Sequence, residues 1–111
     1  MSAQKVLDSW ALLCYLEQEP GHEAVIDLLE KACAQSRPLM MSVVNWGEVI
    51  YRVIQCHGEE KAAVVERIIR TFPITIVDAD MDLTREAVRF KATKKMSYAD
   101  CFAAALAKIK K

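Results

Sequence analysis

Between Pro73 and Asp80 stands Ile74-Thr75-Ile76-Val77, four consecutive β-branched residues. Such a run, β-branched throughout, reads as the clearest strand of the chain. Two further apolar runs of similar size precede it. Lys5-Val6-Leu7 ends at Asp8, and Leu39-Met40-Met41 follows Pro38. Each run is followed by segments whose apolar residues recur at helical spacing. Short apolar strands alternating with helices imply an α/β chain: a central parallel sheet with helices on both faces, three layers deep.

The spacing predicts a strand near 3–7 and a helix near 9–18 that stops at Pro20-Gly21. A second helix covers 22–35, with Val25, Leu28, Leu29, Ala32 and Cys33 on one face. Ser42 suits the cap of a third helix, whose apolar stripe is Val43, Trp46, Val49, Ile50, Val53 and Ile54. Gly58 stands where a helix C-cap is expected, and Glu59-Glu60 opens a fourth helix ending in Arg67 and Arg70. Asp80 begins a fifth through Leu83, Ala87, Val88 and Phe90. The last helix runs from about Tyr98 to Lys110, with Tyr98, Phe102, Leu106 and Ile109 as its core stripe.

With 111 residues the chain is expected to form one domain spanning 1–111. Its hydrophobic fraction of 53% argues against disorder. Fifteen Lys plus Arg balance fifteen Asp plus Glu. That balance gives no support for coating a duplex, though it permits a local grip on a few phosphates. No C-x-x-C pair occurs among Cys14, Cys33, Cys56 and Cys101. They are expected to be reduced, semi-buried core thiols of a cytoplasmic protein, not zinc ligands. Neither a signal peptide nor a membrane-length apolar run is present, so no membrane partner is expected.

Three acids occupy positions where chemistry is possible. Asp8 ends the first strand, and ligands of open α/β sheets bind beyond the carboxyl ends of strands. It could equally cap the first helix. Glu48 lies off the apolar stripe of the third helix, in a site or simply in solvent. Asp100 closes Ser97-Tyr98-Ala99-Asp100, which has the spacing of a capping box with Asp replacing Glu or Gln. Ala103, Ala104 and Ala107 lie on or beside its face, leaving room for a metal, a phosphate or a tightly packed strand. Clustered carboxylates repel unless a cation neutralises them. Hard Mg²⁺ or Mn²⁺ ions prefer oxygen ligands, and a metal held there would suit phosphodiester hydrolysis.

Three segments carry a family resemblance. V-L-D-S-W-A-L-L-C-Y-L-E-Q-E-P-G, S-V-V-N-W-G-E-V-I-Y-R and S-Y-A-D-C-F-A-A-A-L-A resemble, in order and spacing, the acidic motifs of PIN domains, in particular VapC-like toxins. The resemblance spans essentially the whole chain. It implies a Mg²⁺- or Mn²⁺-dependent endoribonuclease, the toxin of a toxin–antitoxin pair. Asp8 and Asp100 would be the chief metal ligands. Glu48 would bind metal directly or through water and help orient the nucleophile. Ser9 and Asn45 would support them, and Arg52, Arg89, Lys94 and Lys95 are candidate phosphate contacts or a solvated face. It also implies an RNA substrate, a cognate antitoxin and a homodimer. In one respect the chain departs from the pattern: the family's last strand, and the loop that usually supplies a fourth acid, are missing after the final helix. A weakly active form, or a sheet completed by a swapped or partner strand, is the expected consequence.

Two other readings compete. One is a catalytically inactive PIN-like binding module that dimerises or binds an antitoxin. The other is a phospho-acceptor receiver domain, which has similar layering. A receiver needs an acidic pair after its first strand, where Asp8 stands alone, and gives Glu48 and Asp100 no role.

Overall fold

The structure, a computed structural model, describes residues 5–110. Six helices and two strands follow in the order α1 (Ser9–Leu16), α2 (His22–Ala34), β1 (Leu39–Ser42), α3 (Val43–His57), α4 (Glu59–Ile69), β2 (Ile74–Val77), α5 (Met81–Thr93) and α6 (Tyr98–Ile109). β1 and β2 pair in parallel, Leu39 opposite Ile74 and Ser42 opposite Val77. Val6 adds a parallel bridge to Met40 on the other side of β1. Two backbone hydrogen bonds secure it: Leu7 N–H to the Met40 carbonyl at 2.8 Å, and Met40 N–H to the Lys5 carbonyl at 2.9 Å. The spatial order is therefore the amino-terminal segment, then β1, then β2. Of the strand expected near 3–7, the described residues show this bridge, and positions 3 and 4 lie outside them.

The alternation of side chains along a strand sorts the core into two layers. Leu7, Leu39 and Met41 face one side, where they meet Leu12, Val25, Leu29, Val49, Val53, Val65 and Ile69 from α1 to α4. Val6 and Met40 face the other, against Leu83, Ala87, Phe102, Ala105 and Leu106 of α5 and α6. Helices thus cover both faces of a parallel sheet, as the alternating pattern implies. Burying each large aliphatic side chain in these layers contributes about 1.5–3 kcal/mol. β2 closes one side, with Thr75 and Ile76 exposed. Among the described residues no strand follows α6.

Helix boundaries follow from their caps. Asp8, Ser42, Asp80 and Ser97 each accept a hydrogen bond from a backbone N–H three residues on, at 2.8 to 3.2 Å. Such a cap is typically worth about 1 kcal/mol. Gly58 ends α3 and opens α4 at φ 88°, ψ 168°, a backbone state open essentially to glycine. α1 ends at Leu16, two residues sooner than its apolar pattern suggests, because Gln18 turns the chain at φ 52°.

Several helix faces differ from those read off the spacing. On α6 the buried residues are Cys101, Phe102, Ala105 and Leu106, while Tyr98 and Ile109 are exposed. Small residues at 101 and 105 let this helix lie close on β1 and α5, which rotates the outer aromatic and isoleucine outward. On α3 the buried line is Asn45, Val49 and Val53, with Trp46 and Ile50 half-buried and Ile54 exposed. Val88 of α5 is exposed as well. Cys14 and Cys101 are buried, but Cys33 and Cys56 are exposed, so the four thiols are not a common core set. Among the described residues no helix is long and apolar enough to cross a membrane.

Candidate active site

Asn45 organises the carboxyl end of the sheet. It is fully buried on the first turn of α3, directly beyond β1. Its Nδ2 donates to Ser9 Oγ at 3.0 Å and to the Ala99 carbonyl at 3.0 Å. Its Oδ1 accepts from Ser42 Oγ at 2.7 Å. Ser9 Oγ in turn donates to the Asn45 carbonyl at 3.2 Å. Ser9 and Ser42 are also buried, and no buried side-chain polar atom among the described residues lacks a partner. One amide therefore ties the first turns of α1, α3 and α6 together.

Each candidate acid adjoins this amide. Asp8 immediately precedes Ser9, Asp100 immediately follows Ala99, and Glu48 stands one turn beyond Asn45 on α3. The connection from Asp8 to Asp100 crosses only the two 3.0 Å bonds of Asn45 Nδ2. Standard bond lengths then hold the two α-carbons to at most about 19 Å apart. The molecule measures 35 × 35 × 25 Å.

Their surroundings differ. Asp8 is half-buried and spends Oδ1 on the Ala11 N–H at 2.8 Å, so the capping role is real. Glu48 is less solvated than its position off the apolar stripe implies. Only 18% of its side chain is exposed, and its nearest cation is Arg52 at 3.8 Å. Asp100 is exposed, and its backbone N–H is capped by Ser97 at 3.1 Å. Among the described residues its carboxylate takes no hydrogen bond and no ion pair, so the reciprocal half of the capping box does not form. Among the described residues no three His, Cys, Asp or Glu side chains form a group able to hold a metal ion.

The donor chemistry nevertheless fits a hard divalent ion. All three side chains offer carboxylate oxygens, and Asp100 and Glu48 have no short hydrogen bond to give up. Three helix N-termini carry positive partial charge toward the same seam, which favours carboxylates and phosphate oxygens there. Of the candidate phosphate contacts, Arg89 is engaged by Glu86 at 2.6 Å, and Arg52 lies against Glu48. Lys94 and Lys95 are exposed in the turn before α6, with no ion pair among the described residues.

The sequence undervalues two features. Asn45 reads as a supporting residue but is the hub of the polar seam; a lone polar residue opposite no obvious partner gives no signal until the helices are docked. Trp10 reads as the start of an apolar helix pattern but is 64% exposed, because Ser9 takes the inward direction to meet Asn45.

Among solved structures, a Mycobacterium tuberculosis toxin, VapC20, described as cleaving the sarcin–ricin loop, superposes with a TM-score of 0.69 at 17% identity, covering 97% of this chain and 83% of that one. A toxin–antitoxin complex from Klebsiella pneumoniae gives 0.64 at 18% identity, covering 96% and 79%. At such identities the likeness establishes the fold. No curated protein matches the sequence significantly. The PIN domain family matches residues 5–111, nearly the whole chain, and with three helix starts meeting beyond a parallel sheet the protein belongs to the PIN-domain family.

Proposed function

We propose that the protein is a VapC-like endoribonuclease, the toxin of a toxin–antitoxin pair, acting in the cytoplasm through Asp8, Glu48 and Asp100. The observation that carries this reading is the Asn45 amide, which gathers the helix starts beside all three acids at one end of the sheet. The fold neighbours are a toxin described as cleaving the sarcin–ricin loop and a toxin–antitoxin complex, which support an RNA substrate and an antitoxin partner. Assembly as a homodimer belongs to the same reading.

Asp8 and Asp100 would hold Mg²⁺ or Mn²⁺, with Glu48 completing the set directly or through water. Such an ion, when bound, supplies an acidified water and neutralises charge on a phosphoryl oxygen. The chain's own part is positional. Asn45 fixes Ser9 and Ala99, and so the backbones of the two flanking aspartates. Glu48 would help orient the attacking water and accept its proton.

The test is RNA cleavage in Mn²⁺ with Asp8→Asn and Asp100→Asn. Asparagine caps a helix about as well as aspartate, so Asp8→Asn should hold the melting temperature while cleavage falls on the order of 100-fold or more. Cleavage that survives both substitutions sinks the reading. A second reading, a binding module without catalysis, is favoured by the separation of the three carboxyl groups. It predicts antitoxin binding with no cleavage by the unsubstituted protein.

A further inference from the structure

Two aromatic rings stand exposed beside the polar seam, and the core uses neither as an anchor. Trp10 is 64% exposed and lies one residue from Ser9, at one end of the Asn45 bridge. Tyr98 is 47% exposed and lies one residue from Ala99, at the other end. Each is two residues from an aspartate of the candidate site, Asp8 and Asp100 respectively. Exposing a tryptophan to this degree forfeits one of the largest hydrophobic gains a side chain offers. Tyr98 is held edge-to-face against Phe102, centroids 5.0 Å apart and planes at 86°, so the buried Phe102 props it in place. The path between the two rings crosses the same two 3.0 Å hydrogen bonds. Their α-carbons are therefore at most about 19 Å apart, a span of a few nucleotides.

We infer that Trp10 and Tyr98 are base-stacking platforms that receive unpaired nucleotides of an RNA strand whose backbone crosses the acidic seam between them. The inference rests on the nuclease reading and specifies its substrate class as single-stranded. Rings standing on the surface meet the π-faces of bases only where the bases are unstacked and splayed out, as in loops and single strands. The chain has no net charge, unlike a duplex-coating protein. Its positive charge is placed locally instead. Lys94 and Lys95 precede Tyr98 in the turn into α6, with no ion pair among the described residues to neutralise them. An exposed tyrosine that follows two lysines without an ion pair among the described residues, with an exposed tryptophan at the other end of the Asn45 bridge, fits RNA better than a protein partner, whose apolar contacts would leave those charges desolvated.

The test is binding of a short fluorescein-labelled RNA without secondary structure, followed by fluorescence anisotropy in EDTA and low salt, where no cleavage occurs. Trp10→Ala is expected to weaken binding roughly 5- to 100-fold, and Tyr98→Ala by a smaller factor. Trp10→Phe, which keeps a π-face, should remain within about threefold of the unsubstituted protein. The same RNA annealed to its complement should bind at least roughly tenfold more weakly. Trp10 contributes little to the core, so its truncation should leave thermal unfolding unchanged. Unchanged RNA affinity in a folded Trp10→Ala protein, equal affinity for the duplex, or no measurable RNA binding would each overturn the proposal. So would a shift in oligomeric state on Trp10→Ala, seen by sedimentation, since the ring would then be a protein contact. Cleavage in Mn²⁺, measured alongside, keeps the two readings apart. Trp10-dependent binding without cleavage upholds the stacking platforms and removes the nuclease.

Discussion

Asn45 carries more of this molecule than any of its charged residues. Its amide makes three hydrogen bonds at 2.7 to 3.0 Å, two of them buried and the third part-buried, and each joins a different part of the chain. Truncation would leave the buried Ser42 and Ser9 hydroxyls and the part-buried Ala99 carbonyl short of partners. Each such group costs about 1–3 kcal/mol if nothing replaces its partner, and relaxation recovers part of that. Asn45→Ala should therefore destabilise the protein by about 2–4 kcal/mol, read as a lower midpoint in urea unfolding. A change below about 0.5 kcal/mol would mean water satisfies the seam and the amide is dispensable. Asp8 offers a different lesson. Its carboxylate caps α1 and borders the seam at once, so the capping role leaves room for the proposed chemical one.

Among the elements, the α5–α6 pair is clamped across its outer surface by Glu86. Lys108 of α6 donates to its carboxylate at 2.9 Å and Arg89 at 2.6 Å. The hydrogen bond from Lys108 holds the Glu86 carboxyl below the usual carboxylate value of 4.5; partial burial opposes it and the charges of Lys108 and Arg89 add to it. A carboxylate depressed in the folded state lends stability above the unfolded value and loses it as pH falls through the folded one. Glu86→Gln should therefore melt below the unsubstituted protein at neutral pH, and the gap should close as pH drops below 4.5. A gap independent of pH would assign the loss to packing. The element order was legible because caps and breakers are local: Ser42, Gly58, Asp80 and Ser97 each mark a boundary through their own backbone. The inward faces were less legible. α6 turns Cys101 and Ala105 inward because close approach to β1 rewards small side chains, and no spacing rule ranks alanine above tyrosine. The acidic positions were visible only as separate motifs, since what joins them is a neutral amide.

At the scale of the molecule, the sheet is, among the described residues, better secured between β1 and β2 than where the amino-terminal segment joins β1. β1 and β2 share four residue pairs, whereas Val6 makes one bridge, held by the Leu7 and Met40 amides. Elements with few backbone bonds open locally at less free energy than the whole fold. The Leu7 and Met40 amides should exchange with solvent deuterium faster than those of Val49 and Val53, which lie inside α3 in the buried core. Protection at Leu7 equal to that of Val49 would show that the segment opens only with global unfolding.

That weak seam is also the one next to Asp8. When that strand opens, the Asp8 carboxylate loses its place together with the cap it makes on α1, while the helices beyond α1 stay folded. Warming or dilute denaturant should then silence the protein well before its circular dichroism changes, with recovery on cooling as quick as one short segment can re-zip.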